Sequence, residues 1–152
     1  MNTIKEILIE KRDGTKEPLD VNKMHFVVEQ ACEDLTGVSA SQIEMNSQIQ
    51  FTSGMTSRDI QDILIRSAND LISLEAPNYQ YAAARLLLWN VYKEVFGQFQ
   101  PKHFTNVIIQ NVKRGVYDHA ILDNYTRTEL KKLNTWIKHD RDLDFTYAGL
   151  RQ

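Results

Sequence analysis

Four cations, an Asp-Gly pair and three further acids crowd into residues 9–24, "IEKRDGTKEPLDVNKM". Lys11 and Arg12 precede Asp13-Gly14, and Glu17, Asp20 and Lys23 follow. Adjacent Lys and Arg neutralise phosphate oxygens, Arg as a planar fork and Lys as a point charge. Carboxylates close behind them accept hydrogen bonds from a base amino group or from ribose hydroxyls, or they pair with the lysines. A solvated hairpin of mixed charge is the plainer account of the same residues. Further along, Thr56-Ser57 opens an apolar-periodic segment, and a helix N-terminus offers an anion free amides and a positive dipole end. Lys93 falls in the last turn of another segment, where a cation also serves the helix dipole. Lysines, an arginine and a helix N-terminus together suit a triphosphate.

Other chemistry is poorly provided for. The chain has no GxGxxG, no Walker lysine loop, no HExxH and no nucleophile elbow, so no catalytic residue is assigned. Cys32 is the single cysteine, which excludes an internal disulfide and a CxxC zinc site, and its apolar stripe reads as a buried structural thiol. His25, His103, His119 and His139 show no metal-ligand spacing, so no metal site is expected. A formal charge of −2 over 152 residues does not suit a protein that coats nucleic acid. No stretch approaches the apolar length of a membrane span, and no leader is evident, which reads as a soluble, cytoplasmic protein.

The elements that must position these residues follow from periodicity. "KEILIEKRDGTKEPL" alternates around Asp13-Gly14, the chemistry of a two-residue type I′ hairpin. That register sets Lys11 opposite Lys16 and Glu10 opposite Glu17, like charges that a ligand would relieve. It also puts Lys11 and Glu17 on opposite faces, so the hairpin end must twist or bulge if both touch one ligand. Asp20 caps a helix with Met24, Val27, Val28, Ala31 and Leu35 inward and Gly37 as its stop. Ser39 with Gln42 reads as a capping box for a second helix, "ASQIEMNSQIQF". Thr56 or Ser57 caps a third, buried along Ile60, Ile63, Leu64, Ala68, Leu71 and Ile72 and broken at Pro77. A fourth, "YQYAAARLLLWNVYKEVF", is apolar over most of its circumference, as a central helix should be. Beyond "GQFQP" a helix starts at Pro101, a short "DHAILDNY" segment follows, and Thr126 with Glu129 caps "ELKKLNTWIKHDRD". The final "LDFTYAGLRQ" is an aromatic, β-prone run with no closing partner, as if the chain stopped within a larger structure. The expected fold is α+β and mostly helical, with a hairpin on four helices in residues 1–96 and further helices in 97–152.

These stretches resemble a known family. "IEKRDGTKEPLDVNKMHFVV" is similar to the opening of the ATP-cone domain, and "APNYQYAAARLLL" with "HDRDLDFTYAG" resembles the N-terminal part of the class I aerobic ribonucleoside-diphosphate reductase large (alpha) subunit. The resemblance implies an allosteric cone, residues 1–96, that binds ATP as activator or dATP as inhibitor, with Mg²⁺, and residues 97–152 as the start of the catalytic domain. It implies phosphate contacts from Lys11, Arg12 and Lys93, and a nucleoside-wrapping segment Glu17, Pro18, Leu19, Asp20, Val21, Asn22 and Lys23, with Glu17 on the base. Ser57 stands where the bacterial pattern has Thr, Gln61 where it has a His near the sugar, and Asp20 where it often has Asn. The implied partners are the remainder of the alpha subunit, a radical-generating beta subunit and further alpha subunits, in a bacterial or phage-infected cell. A cone that has lost nucleotide and only holds subunits together is the competing expectation.

Overall fold

A computed structural model describes residues 7–152, so Lys5 and Glu6 at the expected hairpin start lie outside the described residues. The elements are β1 (Leu8–Glu10), β2 (Lys16–Pro18), α1 (Val21–Cys32), α2 (Ala40–Gln48), α3 (Ser57–Asp70), α4 (Tyr79–Phe96), α5 (Phe104–Lys113), α6 (Ala120–Asn124), α7 (Arg127–Trp136), a 3-10 helix (His139–Asp144) and α8 (Tyr147–Arg151). They group into two compact units, one running to Asn90 and taking in Leu143–Gln152, the other Val91–Asp142.

In the first unit the strands pair antiparallel with Leu8 opposite Pro18, Ile9 opposite Glu17 and Glu10 opposite Lys16. This is one residue away from the expected register. The connection is a three-residue loop: Gly14 N–H donates to Lys11 O (2.9 Å), Lys11 N–H donates to Thr15 O (2.8 Å), and Gly14 alone takes a positive φ, 83°. Asp13 stays out of the left-handed region because its carboxylate accepts from Thr15 N–H (3.0 Å) and Oγ1–H (2.6 Å), which closes the turn without a type I′ geometry. The expected like-charge pairs are therefore absent, and Glu10 faces Lys16 instead.

The hairpin's inner face carries Ile9 into a core made by Met24, Val28 and Ala31 of α1, Ile43 of α2, Ile60, Ile63, Leu64 and Ala68 of α3, and Tyr79, Ala82, Ala83 and Leu86 of α4. Val27, Leu35 and Leu71 pack against it, whereas Ile72 lies beyond the end of α3 and is exposed. Helix α4 spans the expected residues and is buried on several faces, as its composition requires.

The Ser39–Gln42 capping box does not form. Ser39 makes no side-chain cap, and the hydroxyl of buried Tyr79 takes both groups, accepting from Ser39 N–H (3.0 Å) and donating to Gln42 Oε1 (2.6 Å). Arg85 of α4 closes α1 by donating to the carbonyls of Ala31 and Glu33. Helix α2 ends at Gln48, so Phe51 enters the core from a loop.

In the second unit α5 starts at Phe104, not Pro101, because His103 Nδ1 caps Thr105 N–H (3.3 Å) and Asn134 Oδ1 of α7 accepts from Phe104 N–H (2.7 Å). Thr126 and Glu129 form the expected capping box, but α7 stops at Trp136. The last run is not β: Thr146 caps α8 through Gly149 N–H, and Tyr147 packs on the core of the first unit.

Candidate functional site

The backbone of β1 places the basic pair. Its free edge bonds the loop before α3, with Glu10 N–H donating to Met55 O (2.9 Å), Gly54 N–H donating to Leu8 O (2.8 Å) and a parallel bridge from Glu10 to Thr56. Lys11 and Arg12 therefore leave the strand beside the first turn of α3. That turn is built by Thr56, whose hydroxyl accepts from Asp59 N–H while the Asp59 carboxylate accepts from Thr56 N–H and Oγ1–H. These bonds hold the Asp59 carboxyl below its ordinary range. Thr56 is thus the cap and Ser57 the first helical residue. Ser57 N–H has no acceptor among the described residues, as is usual for the first amide of a helix.

The three-residue loop has a second effect. It brings Lys11 and Glu17 onto the same face of the hairpin, where Lys11 Nζ lies 3.0 Å from Glu17 Oε2. The Glu17 hydrogen bond and charge raise the lysine pKa above its ordinary value, so Lys11 is held fully cationic. Arg12 Nη2 reaches α4 and donates to Asn90 Oδ1 (3.1 Å), a mostly buried amide. Asp20 caps α1 through Lys23 N–H (3.0 Å). Leu19 packs on the core, while Pro18, Val21, Asn22 and Lys23 are exposed along the segment that leads into α1. Gln61, one turn into α3, is half-buried and its Nε2–H donates to Leu86 O of α4 (3.2 Å), which leaves Oε1 as its acceptor. Lys93 belongs to the second unit, with its ammonium 4.5 Å from the centre of the Phe99 ring.

The structure thus gathers Lys11, Arg12 and Glu17 at the hairpin end beside Ser57 of α3. Asn90 was not anticipated from sequence. Its signal is a lone amide within "LLLWNVY", a polar side chain where everything around it is apolar. Cys32 is partly buried against the core and its thiol is pushed up to about 11 by burial, which leaves it a weak nucleophile. Among the described residues no group of three His, Cys, Asp or Glu could hold a metal ion, and no helix is long and apolar enough to cross a membrane.

A small hairpin seated on helices, with Lys11, Arg12 and Glu17 beside the first turn of α3, defines an α+β, mostly helical module. The chain belongs to the ATP-cone family, with residues 7–94 matching the ATP cone domain. It is 43% identical over 146 residues to "Ribonucleoside-diphosphate reductase 1 subunit alpha" of Escherichia coli, covering 96% of this chain and 19% of that one. The alpha subunit of Haemophilus influenzae is 41% identical over 148 residues (97% and 20%), and that of Enterobacteria phage T4 39% over 142 (93% and 19%). The chain spans about a fifth of the length of these relatives.

Proposed function

We propose that the chain is the nucleotide-sensing region of a ribonucleoside-diphosphate reductase alpha subunit, with residues 1–96 as the cone and 97–152 leading into the catalytic domain. The cone binds ATP or dATP without hydrolysing it. Lys11, Arg12 and Lys93 take the triphosphate, helped by the first turn of α3 at Ser57. Glu17 accepts from the base, the Pro18–Lys23 segment lies along the nucleoside, and Gln61 reads the sugar. Mg²⁺ bound with the nucleotide would offset the charge of the phosphates.

The observation that carries this reading is the Lys11–Glu17 pair beside the first turn of α3. A cation for phosphate and an acceptor for the base stand side by side there, and the hairpin loop is what aligns them. In the whole protein, ATP and dATP would bias different arrangements of the alpha subunit with its own copies and with a beta subunit, and so switch deoxyribonucleotide synthesis in the cytoplasm. Such control needs only differential affinity of the two ligands for two arrangements.

Either nucleotide should raise the melting temperature of the chain, by an amount that grows with the logarithm of its concentration above Kd. The stabilisation is about 2.7 kcal/mol at a hundredfold excess over Kd. No shift with ATP or dATP up to millimolar concentration would overturn the proposal.

A further inference from the structure

A cleft of about 530 Å³ within the second unit is lined by His103, Thr105, Asn106, Ile109, Gln110 and Lys113 of α5 and its cap, and by Arg127 and Lys131 of α7. Three of these side chains are permanent cations, and no acid lines the cleft. Among the described residues no carboxylate pairs with Lys113, Arg127 or Lys131; of the nearest acids by sequence, Asp118 accepts from Ala120 N–H, Glu129 serves the Thr126 cap and Asp123 meets His119.

The arrangement is costly as plain structure. Arg127 occupies the first turn of α7, where the helix dipole disfavours a cation. Lys131 follows at i+4, a like-charge spacing that destabilises a helix. Only Lys113, in the last turn of α5, has the dipole on its side. The same wall holds Thr105, 4% exposed, whose hydroxyl has no hydrogen-bond partner. His103 Nδ1 accepts from Thr105 N–H, which assigns its proton to Nε2 and makes that nitrogen a donor. The first-turn amides of α5 are taken, by Asn134 Oδ1 and by His103, so binding at this cleft falls to side chains.

We propose that the α5–α7 cleft binds a polyphosphate anion, with Arg127 as a two-pronged contact, Lys113 and Lys131 as flanking charges, and the Asn106 and Gln110 amides as neutral donors. Three cations around a volume of this size match a chain of phosphates better than a single carboxylate, which would compensate one of them. None of these residues belongs to the cone set, so the inference stands independently of the nucleotide reading.

The test is a titration of inorganic tripolyphosphate into the full chain carrying Lys11→Ala, followed by amide chemical shifts at about 0.15 M salt, where exposed charges are well screened. Saturable shifts at Asn106, Gln110, Lys113, Arg127 and Lys131 are expected. Arg127→Gln with Lys131→Gln should weaken them roughly tenfold or more, the worth of charge-assisted hydrogen bonds, with the amides of the first unit unmoved. Larger shifts with ATP would assign a nucleotide to the cleft, and equal shifts the phosphate chain alone. Shifts that never saturate, that survive the double substitution, or that a polyglutamate peptide displaces better than tripolyphosphate does would overturn the proposal.

Discussion

Lys11 and Glu17 pair across the hairpin, so under the proposed reading an incoming triphosphate would find its cation already ordered and partly spoken for. Transfer of Lys11 to the phosphates would release Glu17 as an acceptor, which couples phosphate and base recognition within one pair. Gln61 is similarly half-committed: one of its two amide hydrogens serves Leu86 O, and the other, with Oε1, would be left for a ribose hydroxyl. ATP and dATP differ only by the 2′-hydroxyl, and a lost site-matched hydroxyl costs about 1–3 kcal/mol. Gln61→Ala should therefore compress the ATP/dATP affinity ratio while leaving triphosphate affinity largely intact. An unchanged ratio, from titrations of both nucleotides, would move sugar recognition to the Glu17–Lys23 segment. The clustering of Lys11, Arg12 and Glu17 near the hairpin end was legible from residue type and spacing. Asn90 was not, because its partner Arg12 lies 78 residues away and no local pattern links them.

Helices announced themselves where the code is local. Thr126 with Glu129 forms its box within one turn, Asp20 caps α1, and the apolar stripes of α3 and α4 lead to their cores. Prediction failed where another partner outbid the expected one, whether distant or two residues away. Ser39 and Gln42 surrender to the Tyr79 hydroxyl, and Asp13 turns from a type I′ position to hold Thr15. Tyr79→Phe strands Ser39 N–H and Gln42 together, and denaturant unfolding should show a loss of about 1–3 kcal/mol. A loss within error of zero would mean that water replaces the hydroxyl. Helices α1 and α2 are also joined by His25, whose Nδ1 lies 2.6 Å from Glu44 and Nε2 3.1 Å from Glu29. The Glu44 hydrogen bond and charge, then Glu29, raise the His25 pKa above 6.5. The folded state thus holds the proton more tightly, and the stabilisation is full below the ordinary value and lost as pH rises through the raised one. The melting-temperature gap between the native chain and His25→Gln should shrink as the pH rises above the ordinary histidine value of 6.5. A gap independent of pH would contradict the bridge.

Across the molecule, the α+β class and the central place of α4 were readable because periodicity and composition agree there. The division of the chain was harder to read. The first unit ends at Asn90, inside α4, and takes in α8, neither of which leaves a linker-like signature in the sequence. Residues 7–94 match the ATP cone domain, so the central claim concerns one surface of that region, the hairpin end beside α3. Calorimetric titration of ATP, dATP and AMP into the native chain and into Lys11→Ala tests it most directly. The account predicts that both triphosphates bind the native chain and lose on the order of ten- to a hundredfold in affinity with Lys11→Ala, while AMP changes little. Equal losses for AMP and ATP, or no heat with any nucleotide on the native chain, would contradict it.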